Sequence, residues 1–189
     1  AAGLTVSRLV LPVLGLYPTR LGFLDVMHRM GVPTKVTVER DELGEPVGTI
    51  EVGTCAELGG VRVEQDELPA IVDEVPVLAA MAAHARGESW FLGAGELRVK
   101  ESDRLAAVTS GIRALGGGAA DEGNDLVLPG GGLRGGHASA GGDHRIAMSL
   151  AVAALAAERP SEIDGIEAAE VSFPGFVRAL RSLGAEVSG

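Results

Sequence analysis

Apolar and polar positions along the 189-residue chain fall into two helical patterns. In two segments apolar residues occupy every side at helix length. One runs from Asp73 through Pro76, Val77, Leu78, Ala79, Ala80, Met81, Ala82 and Ala83 and ends near Gly87. The other runs from Asp143 through Ile146, Ala147, Met148, Leu150, Val152 and Leu155 to Ala157. A helix that is apolar all round belongs in the middle of a domain. Neither run is long enough to cross a bilayer, and each opens on an aspartate able to cap the free amides of a first turn. Three further segments read as amphipathic helices. One begins at Ser102, with Leu105, Val108, Ile112 and Leu115 inward and Gly116 as the stop. A second begins at Ser172, carries Pro174 early, turns Phe176, Leu180 and Leu183 inward and stops at Gly184. The third begins at Thr19, with Phe23 and Met27 inward and Gly31 closing it. Short strands are predicted at Lys35–Glu39, Thr49–Val52, Val61–Glu64, Trp90–Leu92, Leu97–Val99, Asp125–Leu128 and Glu162–Asp164.

These elements recur. Asp73 lies 29 positions before Ser102, and Asp143 lies 29 before Ser172. Each interval holds a buried helix and a short strand and ends at a capped amphipathic helix. The pattern predicts an α/β (α+β) fold of three strand-helix-strand-helix-strand-strand units. Coincidence in an Ala- and Gly-rich chain is the alternative, and the equal spacing weighs against it. The first unit keeps only Ala1–Leu4 of its buried helix. That opening has neither an initiator Met nor a capping residue, so the chain reads as cut from a longer polypeptide.

Composition narrows the function. Lys plus Arg number 16 and Asp plus Glu 26, a net charge of −10, which speaks against nucleic acid as a partner. One Trp, one Tyr and four Phe leave little for stacking on bases. The single cysteine, Cys55, excludes an internal disulfide framework and a four-cysteine zinc site. The early apolar stretch from Leu9 to Tyr17 is broken by Pro12, is too short for a membrane span, and has no small-residue cleavage site after it. The expectation is a soluble cytoplasmic domain without a membrane partner.

The densest polar cluster is Leu97-Arg98-Val99-Lys100-Glu101-Ser102-Asp103-Arg104-Leu105. Read as a strand entering a helix, it puts Arg98 and Lys100 on one side and Val99 on the other. Glu101 and Arg104, three apart, can touch on the helix. Cations beside the amides of a helix N-terminus form an anion site, and a carboxylate inside it is placed for proton transfer. A solvated, self-neutralising helix start is the other reading. The second cluster is Gly141-Gly142-Asp143-His144-Arg145-Ile146-Ala147-Met148. Its glycines allow close backbone approach, and an Arg in a first turn opposes the helix dipole. That conflict indicates either a bound anion or an Arg145–Asp143 pair. His144 has no partner His or Cys at metal-ligand spacing and reads as a supporting neighbour. Asp73 is either a helix cap or a base, and the residues alone leave both open. The run Gly130–Gly136 lacks the Lys-Ser/Thr ending of a phosphate loop and reads as a loose hairpin connection.

Three segments in order, Arg98-Val99-Lys100-Glu101-Ser102-Asp103-Arg104-Leu105, Asp143-His144-Arg145-Ile146-Ala147-Met148 and Ser172-Phe173-Pro174, resemble the 5-enolpyruvylshikimate-3-phosphate synthases. Gly15-Leu16-Tyr17-Pro18-Thr19-Arg20 extends the resemblance to the front, so that it covers essentially the whole chain. It implies one lobe of the two-lobed enolpyruvate transferase fold: the C-terminal lobe, residues 1–189, as three βαβαββ repeats at roughly 1–58, 59–130 and 131–189. The first repeat is truncated, the central helices are buried, and the N-terminal lobe of the same polypeptide is the partner. The implied reaction moves the enolpyruvyl group of phosphoenolpyruvate to the 5-hydroxyl of shikimate 3-phosphate and releases phosphate, a step of aromatic amino acid biosynthesis. Carried over by motif, Asp73 contacts the shikimate hydroxyl and accepts its proton. Glu101 delivers and later removes the methylene proton, and Lys100 contacts shikimate 3-phosphate. Arg104 and Arg145 hold the phosphoenolpyruvate carboxylate, with Asp143 and His144 in support. Two arginines can grip a planar carboxylate bidentately, and fixed cations stabilise an anionic intermediate. No metal or organic cofactor is implied.

Two positions depart from the family pattern. Val171 stands where many members carry a phosphate-contacting Lys, and Glu96 where an Asn is common. Both fit a bacterial subgroup that lacks those residues. The rival readings are UDP-N-acetylglucosamine 1-carboxyvinyltransferase, in which the two longest motifs are not expected together, and a non-catalytic interaction domain or pseudoenzyme, which would be under no demand to keep Asp73, Glu101, Arg104 and Arg145 together. The chain alone is expected to fold without turning over substrate.

Overall fold

Three antiparallel strands open the chain: β1 (Leu9–Gly15), β2 (Thr34–Glu42) and β3 (Glu45–Val52), in the order β1–β3–β2, with helix α1 (Gly22–Arg29) between the first two. The computed structural model describes residues 8–17 and 20–188. The expected helix tail at Ala1–Leu4 and the helix start at Thr19 lie outside the described residues. β1 was not expected as a strand. Its register slips between Leu11 and Leu14, around Pro12, which offers no amide to a ladder and is tolerated here because β1 is an edge strand. On α1 the buried residues are Leu24 and Val26, with Phe23 and Met27 packed partly buried beside them, so the inward face is broader than the expected pair.

The second sheet has the order β4 (Arg62–Val63), β5 (Ser89–Phe91), β7 (Asp125–Leu128), β6 (Ala120–Glu122). β4 and β5 are parallel; the other pairings are antiparallel. Two helices belong to this stretch, α2 (Val75–Ala82) and α3 (Arg104–Ala114). Strand β8 (His137–Ser139) and β9 (Glu162–Asp164) form a parallel pair, joined through α4 (His144–Ala154), and α5 (Phe176–Ser182) follows. Short 3-10 helices occupy Leu68–Ala70, Ala94–Val99 and Ile166–Val171.

The all-apolar runs fold as expected at the centre. In α2 every residue except Val77 is buried, and α2 packs against α3 and α4. α4 turns Ile146, Ala147, Leu150 and Ala153 into the main core. Its Met148, Ala151 and Val152 pack on a smaller cluster of Ala169, Phe176 and Leu180. Gly111 brings α3 against α4: a Cβ there would lie 2.6 Å from Leu150 Cδ2. Among the described residues no helix is long and apolar enough to cross a membrane.

Several local expectations are corrected. Leu97–Val99 is not a strand but the end of the 3-10 helix Ala94–Val99, in which Ala94 and Leu97, three apart, are the buried pair. Ser102 does not cap α3. Asp103 does, accepting from the amide of Ala106. Ser172 does not cap α5 either: Ser172–Pro174 make a turn, and the helix starts after Gly175 at φ +82°. The Gly130–Gly136 run is no hairpin, because β7 and β8 belong to different sheets. It is a fastened connection, with the amides of Gly131, Gly132 and Gly135 donating to the carbonyls of Ala85, Ala83 and Leu115, and with Leu133 buried beneath it. Gly141 and Gly142 have open space around them, so they serve a turn at positive φ rather than close approach.

Candidate active site

Among the described residues Arg104 is the largest fully buried side chain. The Asp103 cap makes it the first residue of α3, and a side chain at that position runs back toward the helix N-terminus. There it meets three carboxylates from separate stretches of chain. Nε donates to Asp143 Oδ2 at 2.9 Å and Nη1 to Asp73 Oδ1 at 3.1 Å. Nη2 lies 2.5 Å from Glu101 Oε2, an ion contact without hydrogen-bond alignment. A buried guanidinium is tolerated only when it is paired in this way.

Asp143 fixes a second arginine by its backbone. Oδ1 caps α4, accepting from the amides of Arg145 at 2.8 Å and Ile146 at 3.3 Å. Oδ2 accepts from Arg104 and from Ser102 Oγ at 2.8 Å. Burial pushes the Asp143 pKa up, but the bonds from Arg104, Ser102 and the Arg145 amide outweigh it, so the carboxyl sits below its ordinary value. The Arg145 side chain does not return to Asp143. It crosses to Asp73, with Nη1 donating to the backbone carbonyl at 3.0 Å and Nη2 to Oδ2 at 3.3 Å.

Asp73 therefore receives Arg104 on one oxygen and Arg145 on the other. The reading of Asp73 as a helix cap is corrected. The residue before α2 is Glu74, with no side-chain cap, because Pro76 has no amide to satisfy and Val75 N donates to the carbonyl of Ile71. That leaves the Asp73 carboxylate 43% exposed beside two guanidinium groups, and Glu101, 61% exposed, at the rim. Glu74 is half-buried next to this group. Burial raises its pKa; Arg145 works against the shift and Asp73 adds to it.

The remaining cations of the expected anion site point elsewhere. Arg98 donates to Asp121 Oδ1, Asp103 Oδ2 and the carbonyl of Gly123. Lys100 directs Nζ to Glu96 Oε1 at 2.6 Å. The expected shared side of Arg98 and Lys100 belonged to a strand that does not exist. His144, half-buried at the first position of α4, takes part in none of these bonds. Thus the fold gathers Asp73, Glu101, Arg104, Asp143 and Arg145, and leaves Lys100 and His144 beside them. Ser102 and Glu74 were not expected in the group. The four-residue spacing of Glu96 and Lys100 was a signal for their pairing.

Among the described residues one set, His137, Glu162 and Asp164 on the β8–β9 face, lies close enough together to hold an ion. All three are exposed, and His137 Nε2 sits 2.7 Å from Asp164 Oδ2.

Two helix starts thus converge arginines on one carboxylate, over a mixed α/β lobe with buried central helices. The family model for EPSP synthase (3-phosphoshikimate 1-carboxyvinyltransferase) matches residues 1–180, and the chain belongs to that family. It is 44% identical over 178 residues to the 3-phosphoshikimate 1-carboxyvinyltransferase of Desulfitobacterium hafniense, a match over 94% of this chain and 41% of that relative. To the protein of the same name from Desulforudis audaxviator it is 47% identical, with the same coverage. The solved EPSP synthase of Acinetobacter baumannii superposes on all of this chain with a TM-score of 0.91 at 34% identity, over 45% of its own length. The enolpyruvyl transferase NikO from Streptomyces tendae shares the fold, with a TM-score of 0.72 at 21% identity, over 98% of this chain and 40% of its own. The chain thus spans about 41% of the length of the curated relatives it matches.

Proposed function

We propose that this chain is the C-terminal lobe of a cytoplasmic 3-phosphoshikimate 1-carboxyvinyltransferase, with an N-terminal lobe of the same polypeptide completing a cleft for phosphoenolpyruvate and shikimate 3-phosphate. The observation that carries the reading is the convergence of Arg104 and Arg145 on a single carboxylate, with Glu101 at its edge. A pair of guanidinium groups that holds one planar carboxylate is suited to hold another. The orders β4–α2–β5–α3–β6–β7 and β8–α4–β9–α5 support the partition into repeats near 1–58, 59–130 and 131–189.

In the proposed reaction Arg104 and Arg145 hold the phosphoenolpyruvate carboxylate. The 5-hydroxyl oxygen of shikimate 3-phosphate attacks C2 and gives its proton to Asp73 while Glu101 protonates the methylene carbon. Elimination then returns a proton from that carbon to Glu101, restores the C2–C3 double bond and expels phosphate, which carries away the proton taken up by Asp73. Both carboxylates meet Arg104, but Asp73 also meets Arg145 while Glu101 stands at the exposed rim, and these two placements suit opposite proton transfers. Lys100 meets the phosphoryl group of shikimate 3-phosphate.

The test is phosphate release from phosphoenolpyruvate by the full-length polypeptide carrying this chain, with shikimate 3-phosphate in one sample and UDP-N-acetylglucosamine in another. Turnover with the shikimate substrate alone is expected, and none from residues 1–189 by themselves. Turnover with the sugar nucleotide would refute the substrate assignment. Silence with both would favour a non-catalytic domain.

A further inference from the structure

Lys100 already has a counter-ion inside its own segment. Glu96 stands in the first turn of the 3-10 helix Ala94–Val99, and Lys100 follows it in extended conformation, at φ −80° and ψ −159°. The four-residue separation brings Nζ to 2.6 Å from Glu96 Oε1. The neighbouring cations are held more firmly. Arg98 bonds two carboxylates and a carbonyl, Arg104 meets three carboxylates, and Arg145 makes two bonds to Asp73. Among the described residues Lys100 is held by Glu96 alone. Glu96 is itself 56% exposed and lines a cavity of about 180 Å³ with Gln65, Leu68, Val72 and Val75. Val72 and Val75 bracket Asp73 and Glu74 in the chain. An exposed ion pair of this spacing is weak. An incoming phosphoryl dianion forms a stronger charge-assisted bond to an ammonium than a single carboxylate does. It must nevertheless displace Glu96 and then tolerate that carboxylate nearby.

We propose that Glu96 sets the affinity for the phosphorylated substrate by competing with its phosphoryl group for Lys100. Glu96 is thus a specificity-tuning residue that acts through Lys100 and touches no reacting atom. This rests on the function proposed above. Neutralising Glu96 removes both the competition and the like-charge repulsion, while Arg104, Arg145 and Glu101 keep their partners.

The experiment is steady-state kinetics of the full-length polypeptide carrying Glu96→Gln, and of Glu96→Ala to exclude a bond kept by the amide. KM for shikimate 3-phosphate is expected to fall by about 3- to 10-fold, from the strength of a surface ion pair plus the relieved repulsion. kcat and KM for phosphoenolpyruvate are expected to stay within about 2-fold, and the gain to shrink at high salt. In a Lys100→Met background only the relieved repulsion remains, so the Glu96 substitutions are expected to lower KM by clearly less than in the Lys100 protein. An unchanged or higher KM in both Glu96 variants, or an equal fall in the Lys100→Met background, would overturn the proposal. A tighter KM cannot arise from partial misfolding. If the unsubstituted polypeptide does not turn over shikimate 3-phosphate, the functional reading fails first and this proposal falls with it.

Discussion

Replacing Asp143 by alanine removes one side chain that serves both arginines. Asp143 is 3% exposed and its carboxylate accepts four bonds: two from the first amides of α4, one from Ser102 Oγ and one from Arg104 Nε. Loss of an N-cap of this kind costs about 1 kcal/mol. Removing one partner of a buried ion pair costs about 3–5 kcal/mol when the remaining charge is left uncompensated. Asp73 and Glu101 still neutralise Arg104, so the second contribution falls toward the bottom of its range. The expected total is roughly 3–5 kcal/mol. Asp143→Asn keeps the cap through its carbonyl oxygen but turns an amide donor toward Arg104 Nε, for an expected loss of about 2–3 kcal/mol. Equilibrium urea unfolding of the 189-residue chain, followed by circular dichroism, measures both. The pH dependence gives a second readout. The folded pKa of Asp143 is lowered, so its stabilisation is in place above the unfolded value of about 3.9 and is lost as pH falls through the folded value. The midpoints of the wild type and Asp143→Asn are therefore expected to differ at neutral pH and converge in strong acid. A loss below about 1 kcal/mol for Asp143→Ala at pH 7 would refute the view that this residue holds the two helix starts together.

Three further outcomes are expected. Gly111→Val forces a side chain into the 2.6 Å approach of Leu150 and destabilises by about 1–3 kcal/mol, and Leu150→Ala in the same chain recovers part of that loss, as thermal unfolding of the single and double variants will show. His84 is half-buried with its Nε2 2.8 Å from the carbonyl of Ala153, and burial lowers its pKa despite that bond. The sign is that of a neutral histidine preferred in the fold: its contribution is complete above about pH 6.5 and declines as pH falls toward the folded value, so a His84→Gln chain should show a flatter stability profile just below that pH. In the full-length polypeptide Glu101→Gln is expected to slow turnover by roughly 100-fold or more with modest change in KM, and an unchanged kcat would take Glu101 out of the proton transfers.

The two buried helices could be read from the sequence because eight or more apolar residues without periodicity leave a helix nowhere to go but the centre, and α2 and α4 lie there. The 3-10 helix at Ala94–Val99 could not. Over three residues, Leu97-Arg98-Val99 satisfies a strand pattern as well as a helical one, and only the Ala94–Leu97 pair in the folded chain separates them. β8 is three residues long, from His137 to Ser139 after Gly136, too short for any periodicity to register. In the site, the Glu101–Arg104 contact was legible as a three-residue spacing on a helix start. The meeting of Asp73 with Arg104 and Arg145 was not, because 31 and 72 residues separate them and only the packing of α2, α3 and α4 brings them together. The same distance explains the misassigned caps. Asp and Ser at a helix start satisfy a local rule whether or not a tertiary partner claims the side chain, and here Arg104 claims Asp73 while Asp143 claims Ser102.

Because Arg104 ties together side chains from positions 73, 101 and 143, this cluster of arginines and carboxylates does not exist in any piece of the chain that has folded alone. Its formation waits on contacts between residues remote in sequence, which carry the largest loop-closure cost and come late in folding. An anion that binds at this cluster would therefore recognise the finished fold and no precursor of it. By mass action such a ligand draws the population toward the native state, by about 2.7 kcal/mol at a hundred times its dissociation constant. Wherever such an anion is plentiful, newly made chains would be protected from proteases by the ligand that binds them.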